Sequence, residues 1–405
     1  MIPSKKIIYV TREIERALGM EPGDNYLIAA DRTPYAETIQ NQFGDHVLLI
    51  DSPAEKPFGT GDLLKDERVK KLVSDNGGNV LVFKNTPRIE PFATANGWTL
   101  LNPKAALGEQ VENKLTQIEW LGAIGKEYLP EHRLQTTRFI KWNGQPFIVQ
   151  WGHGHTGSGT MLISSAADLS AIQARFPERM ARVSAYVRGP SFTVNAVVAS
   201  DKIMISSISY QITGLPPFTD NAFTTIGNDW AVANKILSAD DMEVIESITR
   251  KIGVKLNVNG WRGLFGVDVI RDEKTGKICL IEINARQTAS IPFESFLQKK
   301  ARLGGAKGLT TFEAHLKALL GEKIDQELIS IKDGAQIIQR VIKNARLMPS
   351  DIAKKLESAG FQVVSYVNSK EGEDLIRIQS MGGIMDGHEK FNEKGSGILK
   401  ILKQG

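Results

Sequence analysis

Two stretches decide the fold: GLFGVDVI at 263–270 and IEINAR at 281–286. The first belongs to the run LFGVDVI (264–270) and the second to KICLIEIN (277–284). Both are rich in β-branched and aromatic residues, and the polar connection RDEKTG lies between them, so together they read as a β-hairpin. Glu282 and Asn284 alternate with Ile281 and Ile283, the pattern of a sheet with one apolar face. With the connection centred on Lys274, Asp268 falls opposite Leu280 and diagonal to Glu282, which puts both carboxylates and Asn284 on one face. A slip of one residue would separate them. Oxygen ligands on one rigid face suit Mg²⁺, which takes one or two carboxylates and completes its shell with water and phosphate. The plainer reading is a solvated sheet face.

Upstream, NYLIAA (25–30), HVLLI (46–50), NVLVFK (79–84) and WTLLN (98–102) are short apolar runs separated by segments long enough for helices, as in a parallel α/β unit ending near residue 105. Leu107, Val111, Leu115, Ile118 and Leu121 recur at helical spacing, so 103–125 is expected to be helical, with Lys114 on it. The pattern then turns strand-rich, with RFIKW, PFIVQW, TMLIS, RVSAYV and SFTVNAVVAS as expected strands. Helices are expected at 167–176, 239–252 and 311–320. From GAQIIQRVI (334–342) onward, strand and helix signals alternate in a small closing unit.

Composition sets the outer bounds. The chain has 405 residues, roughly enough for two to four compact units. Hydrophobic residues make up 41% and charged residues 24%, which excludes disordered and collagenous classes. A formal charge of +4 gives no reason to expect nucleic acid or a membrane as partner. The single cysteine, Cys279, excludes an intrachain disulfide, and the six histidines form no zinc-ligand spacing. No run approaches the length of a membrane span, so a cytoplasmic location is expected.

GHGHTGSGT (152–160) is the most unusual local feature. It formally holds G-x-G-x-x-G, yet TMLIS after it reads as a strand where a dinucleotide fingerprint needs a helix, and Ser158 stands where a P-loop needs lysine. This leaves a strand-loop-strand flap whose glycines let backbone N–H groups approach phosphates, or simply a tight hairpin. His153 and His155 within it read as solvent-facing.

Taken in order, Lys114, the glycine-rich flap, the segment RVSAYVRGPSFTVN, and then GLFGVDVI with IEINAR resemble the ATP-grasp superfamily, which includes biotin carboxylase and the large chain of carbamoyl phosphate synthetase. The resemblance spans roughly residues 1–340 and is most specific in GxxGVDxI followed by IEINxR. It implies an α/β and α+β architecture with a parallel α/β pre-ATP-grasp domain (1–105), an ATP-grasp domain of two subdomains (106–330, hinge near 184–190) and a small C-terminal α+β domain (331–405). By motif position it implies Asp268, Glu282 and Asn284 as metal ligands and Arg286 as the catalytic cation on the transferring phosphoryl group. It also implies Lys114 and Gln150 beside the phosphates, Gly157, Ser158 and Gly159 in the flap, and the backbone from Ser184 through Ala185 to Val187 against adenine. ATP and Mg²⁺ (or Mn²⁺) are the implied cofactors. Small-molecule carboxylate and nucleophile substrates are the implied partners, and a homodimer is an allowed assembly.

The chain departs from the pattern at three places. Gln150 stands where the family usually carries a lysine, Ser184 where the hinge often has an acid, and Ser191 where a ribose-binding acid often lies. The expected activity is an ATP-dependent ligase that makes an acyl phosphate for attack by an amine or another nucleophile. The alternative is a nucleotide-binding regulatory or scaffolding protein with little catalysis. Thr288 and Ser290 are placed with Arg286 to meet a substrate carboxylate, and Asn228 and Asp229 of GNDW are candidates for the acceptor pocket.

Overall fold

IIYVT (Ile7–Thr11) is apolar on both faces and becomes the middle strand, β1, of a parallel sheet in the computed structural model, which describes residues 3–53, 57–152, 159–343 and 349–403. With β2 (Tyr26–Asp31), β3 (Val47–Ile50), β4 (Asn79–Val82) and β5 (Thr99–Leu100), the strand order is β3-β2-β1-β4-β5. The four expected runs are all strands, and β1 is an addition to them. Ile7 and Tyr9 enter one core while Ile8 and Val10 enter the other, as in a parallel sheet covered on both sides. The order reverses between β1 and β4, where the carboxyl ends of the strands open a crevice.

The segment 103–125 is not one helix. It breaks into Ala105–Glu112, Thr116–Leu121 and Ala123–Tyr128. Lys114 therefore sits in the turn between the first two, where the Asn113 side chain accepts from the Leu115 N–H and the Lys114 N–H donates to the Gly152 carbonyl. The turn is pinned to the start of the flap.

A four-stranded antiparallel sheet follows, built from β6 (His132–Thr136), β7 (Phe147–Gln150), β8 (Thr160–Ile163) and β9 (Met180–Ala185) in the order β6-β9-β7-β8. RFIKW, expected as a strand, is a 3-10 turn at Thr137–Phe139 followed by loop. The strand is instead the polar HRLQT just before it, an edge strand that pairs only with β9 and so needs no apolar alternation. Phe147, Val149, Ala181 and Val183 pack on Leu169 and Ile172 of the helix Ala166–Arg175. Strand alternation then turns Ile148, Gln150, Arg182 and Ser184 to the opposite face.

The largest sheet runs β15-β14-β10-β12-β13-β16-β18-β17 with β11 on the side of β10. Its strands are β10 (Ser191–Val198), β11 (Ile203–Ile205), β12 (Ser209–Thr213), β13 (Thr225–Asp229), β14 (Gly263–Arg271), β15 (Ile278–Asn284), β16 (Ala335–Arg340), β17 (Gln362–Ser365) and β18 (Asp374–Ser380). The helix Ala239–Val258 starts at a capping box made by Ser238 and Asp241. Its Ile245, Ile248, Ile252 and Leu256 share one core with Val267, Leu280 and Ile283 of the sheet. The segment after 331 continues this sheet, because β16 pairs antiparallel with β13.

Candidate active site

The hairpin forms with a register unlike the expected one. Arg271 pairs with Ile278, Ile270 with Cys279 and Val269 with Leu280, so the connection is centred half a residue beyond Lys274. That is the slip that would separate the carboxylates. A bulge at Ile281 undoes it: Asp268 pairs directly with Glu282, Val267 with Ile283 and Gly266 with Asn284. The extra residue restores the parity that the turn removes. Leu280 and Ile283 stay in the core, while Ile281 and Glu282, consecutive in sequence, both line the cavity.

Across that cavity stands the free face of the four-stranded sheet. The space between measures ≈ 380 Å³, and its walls include Lys114, Gln150, Gly159, Arg182, Asp268, Glu282, Asn284 and Arg286. Ser184, Ala185, Tyr186 and Val187 line one end of it. Gly157 and Ser158, like His153 and His155, lie outside the described residues.

Asp268 accepts from Thr193 Oγ1 at 2.8 Å and from Asn284 Nδ2 at 2.9 Å. Burial, and then the Glu282 charge beside it, push its carboxyl up to about 6. Burial also opposes ionisation of Glu282, but the Lys114 ammonium 2.7 Å from Oε1 outweighs it and holds the acid below its ordinary range. For Lys114 the balance goes the other way, burial lowering its pKa despite Glu282. Lys114 pairs with Glu282 and acts on Asp268 only through its charge.

Arg286 does not pair with Glu282. Its NH2 donates to Asn284 Oδ1 at 2.9 Å, and its Nε lies 3.1 Å from Glu112 Oε1, which belongs to the helix Ala105–Glu112. Lys84 Nζ reaches the other Glu112 oxygen at 2.5 Å. A second space of ≈ 290 Å³, with Lys84, Asn85, Lys104, Glu112 and Arg286 in its walls, opens at the end of β4. Arg286 thus stands between the main cavity and the switch crevice of the N-terminal sheet.

Gln150 is engaged. Its Oε1 accepts from Arg182 Nε at 3.1 Å and NH2 at 2.5 Å, and its Nε2 donates to Thr160 Oγ1 at 3.0 Å. Burial pulls the Arg182 guanidinium down to about 10. Of the other candidates, Thr288 and Ser290 line the cavity but bond to each other and to Asn195. Asn228 lines it as well. Asp229 does not: it is fully buried, caps the helix Trp230–Ile236 by accepting from the Val232 N–H, and accepts from the N–H groups of Ile384 and Met385.

The sequence reading passed over Arg182, Thr193 and Glu112. Arg182 was reachable, since it precedes Ser184 by two on a strand whose other face carries Ala181 and Val183. Thr193 and Glu112 carried no local signal.

The donor set suits a hard divalent cation. Among the described residues no group of three His, Cys, Asp or Glu side chains is placed to hold a metal. Two opposed carboxylates with an amide beside them, one acid raised by its neighbour, match the sparse ligation of Mg²⁺. Asn284 Oδ1 would have to release Arg286 to join them.

Residues 111–290, which hold the four-stranded sheet and β10 to β15 of the large one, match the family model of the ATP-grasp domain. The carboxyaminoimidazole ribonucleotide synthase of Aspergillus clavatus, solved with ATP, superposes with a TM-score of 0.67 over 99% of both chains at 16% identity. The N5-carboxyaminoimidazole synthetase of Staphylococcus aureus, solved with ADP, gives 0.65 over 99% of this chain and 98% of that one at 12% identity. The biotin carboxylase domain of the Hydrogenobacter thermophilus 2-oxoglutarate carboxylase gives 0.61 over 95% and 87% at 12% identity. No curated protein matches the chain by sequence. The whole chain shares the fold of these structures, and residues 111–290 within it match the ATP-grasp domain.

Proposed function

We propose that the chain is an ATP- and Mg²⁺-dependent ligase that activates a small carboxylate as an acyl phosphate for displacement by an amine or another nucleophile, releasing ADP and phosphate. One observation carries this reading: Asp268 and Glu282 are directly opposed across the β14–β15 ladder, with Asn284 beside them and Lys114 and Arg286 at the same cavity. Opposed acids in a buried wall are costly unless a cation neutralises them. Asp268, Glu282 and, once freed from Arg286, Asn284 would hold Mg²⁺, which when bound would offset charge on the phosphates.

Each residue then has a physical task. Lys114 places an ammonium beside Glu282, within reach of a phosphate oxygen. The backbone from Ser184 to Val187 offers an edge for adenine, and Gly159 lines the same cavity. Arg286, braced by Glu112 and Asn284, presents its guanidinium plane to an anionic carboxylate and then to the charge that develops in the transition state. Bracing of this kind lowers the cost of reorganisation at the moment of reaction. The crevice at the end of β4, reached past Arg286, is the proposed entry for the nucleophile. That fold neighbours were solved with ATP, with ADP, and with MgADP and bicarbonate supports the choice of ATP and a small carboxylate-like donor.

ADP release over a panel of small carboxylates paired with amines tests the reading. A pair that raises release well above the rate with ATP alone is the expected outcome. Tight nucleotide binding with no release for any pair would favour the regulatory or scaffolding reading, which the substitution of Gln150 for lysine suggests.

A further inference from the structure

Arg182 is 4% exposed, and among the described residues no carboxylate lies within ion-pair distance of it. A guanidinium buried without a counter-charge is expensive, and the cost is met when an anion arrives with a ligand. Its surroundings fix the geometry. β7 and β9 pair so that Gln150 stands directly opposite Arg182. Gln150 Oε1 accepts two of its N–H groups, Gln117 Oε1 a third at 3.3 Å and the Ile281 carbonyl a fourth at 3.4 Å. All these acceptors are neutral. They hold the plane of the guanidinium and leave one N–H unassigned, and Glu282, the acid whose charge Arg182 feels, is beyond ion-pair distance and already paired with Lys114. Gln117 is itself held, its Nε2 donating to the Val111 carbonyl. The fourth acceptor precedes Glu282 by one residue, so Lys114 and Arg182 flank the acid.

We infer that Arg182 is a phosphate-contacting residue of the nucleotide site, supplying from β9 the cation that Gln150 does not supply from β7, and that Gln150 is a positioning residue for its guanidinium. The inference rests on the nucleotide-dependent reading above. It explains why glutamine at 150 is compatible with a polyphosphate ligand: the charge has moved to the paired position on the neighbouring strand. It also gives Gln150 a task that lysine would fail, because an ammonium there would face Arg182 directly.

Calorimetric titration with adenosine, AMP, ADP and ATP in Mg²⁺ tests this. Arg182→Met is expected to weaken ADP and ATP by about 10- to 100-fold, the worth of a charge-assisted contact, and to leave adenosine unchanged. Gln150→Lys alone should also weaken ADP, whereas the exchange Gln150→Lys with Arg182→Gln should recover affinity, because it returns one cation to the pair. Should Arg182→Met fail to fold, the exchange and Arg182→Lys carry the test, with ADP affinity near wild type expected from both. ADP affinity unchanged in Arg182→Met, an equal loss for adenosine and ADP, or an exchange variant no better than Gln150→Lys would overturn the inference. A wild-type protein that binds no adenine nucleotide would instead remove the ligase reading on which it rests.

Discussion

Glu282 has two partners to satisfy, Lys114 in the protein and the proposed Mg²⁺. Glu282→Gln removes one charge and almost no volume, so its main effect belongs to the chemistry: turnover should fall by about 10³-fold or more, with the loss in Mg²⁺ dependence. The stability cost is the loss of an ion pair whose acid side is about one-third exposed, at 33%. That places it near 1–2 kcal/mol, between the surface and buried limits. Urea unfolding of the variant beside the wild type checks the second figure and steady-state kinetics the first; near-normal turnover would remove Glu282 from the site. At this scale much was legible. Asp268, Glu282, Asn284, Lys114 and Arg286 stand around one cavity, and their motif spacing named them in advance. Arg182, Thr193 and Glu112 were not legible, because what singles them out is a cross-strand or cross-helix partner distant in sequence.

The hairpin and the segment 184–190, the expected hinge, both border the cavity, and they meet at one glycine. Gly189 has φ +148°, and a Cβ there would lie 2.0 Å from the Arg271 carbonyl oxygen, backbone against backbone. The Glu273 N–H donates to the Arg188 carbonyl and the Arg271 N–H to the Pro190 carbonyl, so this segment and the hairpin are laced on both sides of it. Gly189→Ala should therefore cost about 2 kcal/mol or more and move the Ser184–Val187 edge relative to the carboxylates. Melting temperature and ADP affinity should fall together; a variant with wild-type values of both would contradict the close approach. The hairpin also shows where element-level reading stops. A turn centre shifted by half a residue and a bulge at Ile281 each overturn the simple register, and only their combination keeps the acids on one face. Alternating hydrophobicity reports which face a residue occupies, and a bulge is the feature that breaks that count. The exchange of RFIKW for HRLQT as a strand has a related cause, since an edge strand is chosen by its neighbour's free backbone groups.

Three parts of the chain reach one carboxylate in the whole molecule. Asp374 at the start of β18 lies 2.5 Å from Arg340 NH1 of β16, 3.3 Å from Arg377 NH2 and 4.0 Å from Arg16 NH2, which follows β1. Tyr366 adds to the junction, donating to Glu15 Oε1 at 2.8 Å and accepting from Arg377 Nε at 3.0 Å. The acid is buried and the arginines line the far end of the main cavity. Asp374→Asn should cost about 3–5 kcal/mol, the penalty for leaving the buried Arg340 and Arg377 without the carboxylate they share, while Arg16 keeps Glu13. A loss below about 1 kcal/mol by urea unfolding would show that the arginines find other partners. No helix among the described residues is long and apolar enough to cross a membrane. The runs and motifs made the parallel sheet of the first hundred residues and the hairpin of 263–284 legible. The continuous sheet through β13 and β16 was not, because no local pattern encodes a pairing across a hundred residues.

In the proposed function this cavity takes adenine nucleotide with Mg²⁺ on the Asp268–Glu282 pair. Calorimetric titration of the purified chain with ADP, with and without Mg²⁺, decides between binding and its absence. Saturable binding that tightens by about tenfold or more when Mg²⁺ is present, with loss of that gain in Glu282→Gln, is the expected result. No heat of binding for ADP or ATP in Mg²⁺, or a gain that survives in Glu282→Gln, would contradict it.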